Sequence, residues 1–116
     1  MKYYKELLLK KLTDSGWELE EQNNDTDWWL EEYWKVKSIK DSWGKEIYIM
    51  FLVDPQYDGS NKSQAVWAVM AVIEIPEDRP LGNEGIILMD LQKGSFDQKL
   101  EDFVLGVNEY RNKIGL

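Results

Sequence analysis

The sequence contains neither cysteine nor histidine among its 116 residues. Without cysteine, the chain can form no disulfide, no thiolate metal site and no cysteine nucleophile. Without histidine, it can form no Ser-His or Cys-His nucleophile pair and no histidine-ligated zinc or iron site. General acid–base chemistry would fall to Asp, Glu, Lys or Tyr side chains. Ser42-Trp43-Gly44-Lys45 fits the S-x-x-K string of Ser-Lys acyl enzymes, but Gly44 indicates a hairpin where that chemistry needs the start of a helix. No other string indicates a catalytic, metal or nucleotide site, so we expect no enzymatic activity and no cofactor.

Basic residues and long apolar runs are also scarce. The chain has 14 Lys and Arg against 22 Asp and Glu, a formal net charge of −8. Binding to nucleic acid or to an anionic membrane depends on basic surface, so we expect neither partner. The longest apolar run near the N-terminus is Leu7-Leu8-Leu9, which is too short for a signal-peptide core or a membrane span. These observations favour a cytoplasmic protein.

Hydrophobic residues are plentiful, at 43% of the chain, and six of them are tryptophan. A chain of this length and composition can bury one core without disulfides or metals. We therefore expect a single domain over residues 1–116. Its composition argues against disorder, because a disordered chain has few aromatic and apolar residues.

Helical periodicity marks both ends of the chain. Residues 2–14 carry an apolar stripe and are followed by Gly16, where a C-terminal cap belongs. A second helix is predicted to open at Ser95, with Gln98 reaching back to complete a capping box. The apolar stripe of this second helix consists of Phe96, Leu100, Phe103, Val104, Val107 and Ile114.

The region between the helices predicts five strands, at 17–22, 28–40, 46–53, 65–75 and 86–91. The turn formers of 41–44 indicate a hairpin between the second and third strands. The element order α-β-β-β-β-β-α predicts an α+β fold: a mostly antiparallel five-stranded sheet with the N- and C-terminal helices packed on it.

The strands 46–53 and 65–75 are apolar on both faces, which is typical of strands covered on both sides. Two helices cover one face of a sheet well and two faces poorly. The candidates for covering the second face are the loops 54–63 and 76–85, the Trp29 and Tyr33 side chains, or a second copy of the chain. Because large apolar patches are rare on monomers, we favour a homodimer. The alternative is a monomer whose helices lie on opposite faces.

The loop after the third strand resembles the start of a calcium-binding loop, with Asp54, Asp58 and Gly59 at matching positions. The match then fails, because Lys62 stands at the ninth position and Ala65 where a bidentate Glu belongs. The flanking segments are also strands and not helices. We interpret this segment as a polar hairpin loop without metal.

A tryptophan-rich, acidic segment is the strongest candidate for a functional surface. The stretch 18–32 holds seven acids and no Lys or Arg. Strict alternation along 28–40 places Trp28 and Trp34 on the core face, and Trp29 with Tyr33 on the charged face. Tryptophan and tyrosine are enriched at binding hot spots, and acids beside them select a basic partner. The predicted partner-binding residues are Trp29, Tyr33, Asp25, Asp27, Glu31 and Trp43. The competing interpretation is that the tryptophans, in particular Trp17, Trp28, Trp34 and Trp67, simply fill the core.

The sequence therefore favours a small binding or regulatory protein that engages a protein partner, which we expect to be basic, or that associates with itself. An immunity-like or chaperone-like role is open within this class. The alternative is a domain that binds or hydrolyses a small molecule in a pocket between sheet and helices, using carboxylates or tyrosine.

Overall fold

The structure is a computed structural model that describes residues 3–40, 46–59, 61–79, 85–92 and 94–114. Its elements in chain order are α1 (Tyr3–Asp14), β1 (Trp17–Asn23), β2 (Leu30–Ser38), β3 (Glu46–Val53), a 3₁₀ turn (Lys62–Gln64), β4 (Val66–Val72), β5 (Ile87–Asp90) and α2 (Phe96–Ile114). The strands form one antiparallel sheet in the order β1-β2-β3-β4-β5, so each pairs with its neighbour in sequence. The predicted α+β fold is confirmed.

Both helices pack on the same face of the sheet. Their buried side chains share one cluster with inward residues of all five strands, including Trp17, Trp34 and Phe51. The described members of the predicted stripes pack in this cluster: Tyr4, Leu8 and Leu12 from α1, and Leu100, Phe103, Val104 and Val107 from α2, with Phe96 against them. The side chain of Ile114, also predicted for the α2 stripe, lies outside what the structure describes. Gly16 ends α1 with a φ of 91°, a left-handed conformation that glycine adopts without a Cβ clash.

The opposite face of the sheet carries a second buried cluster. It consists of Trp29, Leu30, Met50, Leu52, Ala68, Met70 and Val72, with Tyr33, Tyr48, Trp67, Ile75 and Leu88 packed against it. Trp29 comes from the β1–β2 loop and Ile75 from the segment after β4, so the chain folds its own side chains over this face. Met50 is fully buried at its centre. A bare second face was the reason to expect a dimer, and the described residues do not leave it bare. The homodimer itself stays a prediction.

The strand predicted over 28–40 is shorter and has a bulge, which changes the side-chain register. β2 begins at Leu30, and its pairing with β3 shifts between Leu30 and Glu32. A bulge inserts one extra residue, so strict alternation does not extend across it. The assignment of the two adjacent tryptophans was therefore wrong. Trp28 lies in the turn before β2 and is 59% exposed, whereas Trp29 is 4% exposed.

Two further expectations need correction. The strand predicted over 65–75 ends at Val72; beyond it, Ile73 is exposed and Ile75 packs in the second cluster. Gln98 does not reach back to the start of α2, because its amide nitrogen donates to Asp102 Oδ1 at 3.0 Å, one turn further along. The predicted hairpin at 41–44, with Trp43, lies outside the described residues.

Candidate functional site

The β1–β2 loop, residues 24–29, is built from local hydrogen bonds. Asn23 Oδ1 accepts from the Asp25 backbone nitrogen at 2.9 Å, an Asx turn that starts the loop. The Leu30 nitrogen donates to the Asp27 carbonyl at 3.1 Å, which closes a turn around Trp28. The Val53 nitrogen donates to the Trp29 carbonyl at 2.9 Å and joins the loop to β3. The loop therefore has a defined backbone path.

The side chain of Lys62, a residue of the 3₁₀ turn, binds this loop. Lys62 lies more than thirty residues further along the chain. Its Nζ lies 3.2 Å from the Thr26 carbonyl, 3.1 Å from the Asp27 carbonyl and 2.9 Å from the Leu30 carbonyl. The Thr26 hydroxyl lies 3.1 Å from the same nitrogen. An ammonium can donate only three hydrogens, so these four acceptors share them. Each bond is charge-assisted and hence stronger than a neutral one. Lys62 occupies the ninth position of the segment that resembles a calcium loop, where a calcium loop supplies a ligand. Its ammonium group instead orders the neighbouring β1–β2 loop.

Four of the six predicted site residues line one cavity beside this loop. The cavity has a volume of about 280 Å³, and its lining includes Asp25, Asp27, Trp29 and Tyr33. Thr26, Leu30, Ile75 and Pro76 complete it. The two aspartates are exposed, while Trp29 is buried and Tyr33 half-buried. The cavity therefore combines an aromatic wall with two carboxylates open to solvent.

Tyr33 is held firmly within this wall. Its hydroxyl accepts from Asn23 Nδ2 at 3.0 Å. Its ring meets the Tyr48 ring edge-on, with the centroids 5.7 Å apart. Edge-to-face pairs of this kind are a preferred aromatic geometry. These contacts position the ring before any ligand binds.

Of the other two predicted residues, the structure separates Glu31 from this cavity. Glu31 lies on the helix-bearing side of the sheet, where both it and Glu32 accept from Lys5 Nζ. The bulge in β2 is the physical reason, since it breaks the alternation that placed Glu31 beside Trp29. Trp43 lies outside the described residues.

Sequence reasoning missed Trp28, the tryptophan that is exposed among the described residues. It stands between Asp27 and Trp29, one residue after the loop predicted over 23–27. The turn formers Asn23-Asn24-Asp25 could have indicated its exposure. If the turn that they favour extends one residue beyond 27, Trp28 lies in the turn and not in the strand. With Trp28 included, the site is a loop surface that carries an exposed indole directly after Asp25 and Asp27 in the chain; we call it the Trp28 loop.

A second, more apolar cavity lies between the end of β4 and the C-terminal half of α2. Its volume is about 530 Å³. Met70, Val72, Ile73, Pro76 and Ile86 supply its apolar lining, and Glu74, Glu109, Tyr110 and Lys113 its polar groups, with Gly85 and Gly106 between them. Gly85 passes so close to β4 that an added Cβ would lie 2.6 Å from the Ala71 carbonyl oxygen. A volume of this size is within the range of small-molecule pockets.

A patch of charged side chains occupies the β1 side of the second sheet face. Lys35 Nζ lies 3.1 Å from Glu46 Oε2. A hydrogen bond with Glu46 is the main cause that raises the pKa of Glu20, and the same interaction lowers the pKa of Glu46, with Lys35 as the second cause. The pKa of Lys35 is raised, chiefly by its hydrogen bond with Glu46. Of these side chains, the exposed Glu20 belongs to β1, an edge strand, and its charge discourages edge-to-edge pairing.

Two kinds of feature are absent from the described ranges: a cluster of potential metal ligands and a helix that could span a membrane. No three Asp or Glu side chains there come together as a potential metal site. Neither described helix combines the length and apolar character that crossing a membrane requires. Comparison with known proteins finds no family model that matches the chain, and no curated protein or solved structure matches it either.

Proposed function

We propose that the protein is a non-enzymatic binding protein that holds a basic segment of a protein partner on the Trp28 loop. The observation that carries the proposal is Trp28, a large indole that is 59% exposed on an ordered loop that also carries Asp25 and Asp27. Exposing an indole costs free energy unless a partner covers it, and Trp is the residue type most enriched in binding hot spots.

The 280 Å³ cavity that other residues of the β1–β2 loop line supports the choice of a basic partner. A Lys or Arg side chain could lay its aliphatic stem along Trp29 and Tyr33 and bring its charged head to Asp25 and Asp27. The hydrogen bonds from Lys62 to the carbonyl groups of the β1–β2 loop favour this function as well. A loop that is already ordered loses little conformational entropy when a partner binds.

The test is selection of peptides from a random library displayed on phage, carried out at physiological salt. We expect enrichment of Lys- and Arg-containing peptides that lose binding to the Trp28→Ala variant. The double variant Asp25→Asn, Asp27→Asn should lose binding as well. The matched control is Asp58→Asn with Glu101→Gln, which removes two exposed acids elsewhere and should bind as the wild type does. Peptides that bind equally to Trp28→Ala would contradict the proposal.

A second candidate function is binding of a small molecule in the 530 Å³ cavity between β4 and α2. Its size and its apolar lining with a few polar groups favour a ligand with an apolar body. A fragment screen by NMR tests it. Specific ligands should shift the amide signals of Gly85, Gly106 and Tyr110 together. A screen whose hits leave these three signals in place would remove this candidate.

A further inference from the structure

A third cavity lies on the helix-bearing side of the sheet, between α1 and β2. Its volume is about 390 Å³. Apolar and aromatic groups of Tyr4, Leu9 and Trp34 line part of it. The polar lining consists of Lys5, Glu6, Gln22, Asn24, Glu31, Glu32 and Ser63. This cavity lies on the opposite side of the sheet from the cavity lined by Trp29 and Tyr33, and Asn24 is the residue of the β1–β2 loop in its lining.

The bulge in β2 brings both Glu31 and Glu32 to this side. Lys5 Nζ binds Glu31 Oε1 and Glu32 Oε2, and it also lies 4.4 Å from the centre of the Phe51 ring. Trp34 Nε1 donates to Glu32 Oε1 at 3.1 Å. Both oxygens of Glu32 are thus used. No described residue donates to the second oxygen of Glu31, so that oxygen can accept from a ligand.

Tyr4 gives an independent indication of a ligand. Its side chain is only 6% exposed, and within the described part of the chain its hydroxyl has no hydrogen-bond partner. A buried polar group without a partner is rare in folded proteins, and it usually signals a bound water, ion or ligand. Burial, followed by the charges of Glu31 and Glu32, raises the pKa of Tyr4. The hydroxyl is therefore neutral at physiological pH and close to both carboxylates.

The charge of the lining decides which ligands suit the cavity. Three carboxylates, on Glu6, Glu31 and Glu32, stand against one ammonium, on Lys5. An anion would be repelled, and a neutral ligand would leave the excess negative charge unbalanced. A guanidinium is planar, carries five N–H donors and stacks on aromatic rings, which matches carboxylate acceptors beside aromatic side chains.

We infer that the cavity bounded by Tyr4, Glu31 and Trp34 is a binding site for a guanidinium group. The guanidinium donates to the free oxygen of Glu31 and to the Tyr4 hydroxyl oxygen, and its plane lies against the aromatic lining. The group can belong to a free small molecule or to an arginine side chain of a partner. The inference does not depend on the proposed function of the Trp28 loop.

The test is an NMR titration of the ¹⁵N-labelled protein at physiological salt with ethylguanidinium, and with ethylurea as a planar, uncharged analogue. Ethylguanidinium should cause saturable shifts at residues 4–9 and 22–34, and ethylurea should not. Tyr4→Phe, which keeps the ring, should weaken binding roughly threefold to tenfold through the lost hydrogen bond. Glu31→Gln should weaken binding at least as much, and Glu101→Gln, an exposed change of equal charge, should leave it unchanged.

A second titration, with the capped tripeptide Ala-Arg-Ala, distinguishes the two possible sources of the guanidinium group. Tighter binding of the peptide than of ethylguanidinium indicates an arginine of a partner, and the reverse indicates a free small molecule. The inference is overturned if Tyr4→Phe and Glu31→Gln, both shown to be folded by their spectra, bind ethylguanidinium as the wild type does. A water bound to Tyr4 would give that result. Trp28→Ala should leave this affinity unchanged, which separates this test from that of the Trp28 loop.

Discussion

Trp28 and Trp29 are neighbours in the chain but have opposite environments. Trp28 is 59% exposed and Trp29 4% exposed, because the chain enters β2 only at Leu30. Trp29 fills the second cluster, and Trp28 projects from the loop that we propose as the binding surface. Trp29 therefore contributes to stability, and the adjacent Trp28 is the tryptophan that we propose for recognition.

The first prediction uses this pair. Trp29→Ala should lower the free energy of unfolding by about 3–5 kcal/mol, because it leaves a large cavity in the second cluster. Trp28→Ala should change the free energy of unfolding by less than about 0.5 kcal/mol, as expected for an exposed side chain. Urea denaturation followed by far-UV circular dichroism measures both values. Equal losses in the two variants would show that the assignment of the two indoles is wrong.

The second prediction concerns the hydrogen bonds by which Lys62 orders the Trp28 loop. Lys62→Met removes the donor shared by the Thr26, Asp27 and Leu30 carbonyls, and we expect a loss of roughly 1–3 kcal/mol in stability. Amide hydrogen exchange should become faster across the loop, and binding of any selected basic peptide should weaken. Lys10→Met is the matched control, since Lys10 is exposed and its partner among the described residues is Asp14, one turn away. If exchange in the loop is the same in both variants, Lys62 does not order the loop.

The third prediction tests the end of α1. Gly16 has a φ of 91°, and an added Cβ would lie 2.7 Å from Lys40 Cγ. Gly16→Ala should therefore cost about 1–2 kcal/mol, mainly from the left-handed backbone, because the flexible Lys40 side chain can move away. Thermal denaturation would show the loss as a lower melting temperature. An unchanged melting temperature would mean that the helix ends in a different conformation.

The fourth prediction is a difference in the titration of two glutamates. Glu20 has a raised pKa and should take up its proton above the ordinary value as the pH falls, whereas Glu46 has a lowered pKa and should keep its charge to lower pH. Side-chain carboxyl NMR across the acid range measures both. Glu46→Gln should bring the pKa of Glu20 down towards its ordinary value, since Glu46 is the main cause of the shift. If the titration curves of Glu20 and Glu46 overlap in the wild type, the interaction between these two side chains is contradicted.

These shifts also determine the sign of their effect on stability. The raised pKa of Glu20 contributes stability at low pH, which is lost as the pH rises through that pKa. The lowered pKa of Glu46 contributes stability above its unfolded value, which is lost as the pH falls through the folded pKa. The two contributions oppose each other, and both side chains are exposed. We therefore expect little net change in stability from this pair across the acid range.

The sequence determined the secondary structure and the choice of sheet faces where local patterns are strong. The stripes of α1 and α2, Gly16 as the helix end, and β3 over Glu46–Val53 all follow from periodicity and turn chemistry. The two-sided apolar character of β3 and β4 also indicated correctly that both sheet faces are buried. Periodicity carries this information because it reports which side of an element avoids water.

Only the tertiary structure decided what covers the second face and which tryptophan is exposed. A bulge in β2 reverses the alternation and turns Glu31 towards Lys5, and the start of β2 at Leu30 leaves Trp28 outside the strand. The contacts of Lys62 with the β1–β2 loop and of Ile75 with the second cluster join segments far apart in sequence. Such contacts depend on where the folded chain returns, and no local pattern of residue types encodes that position.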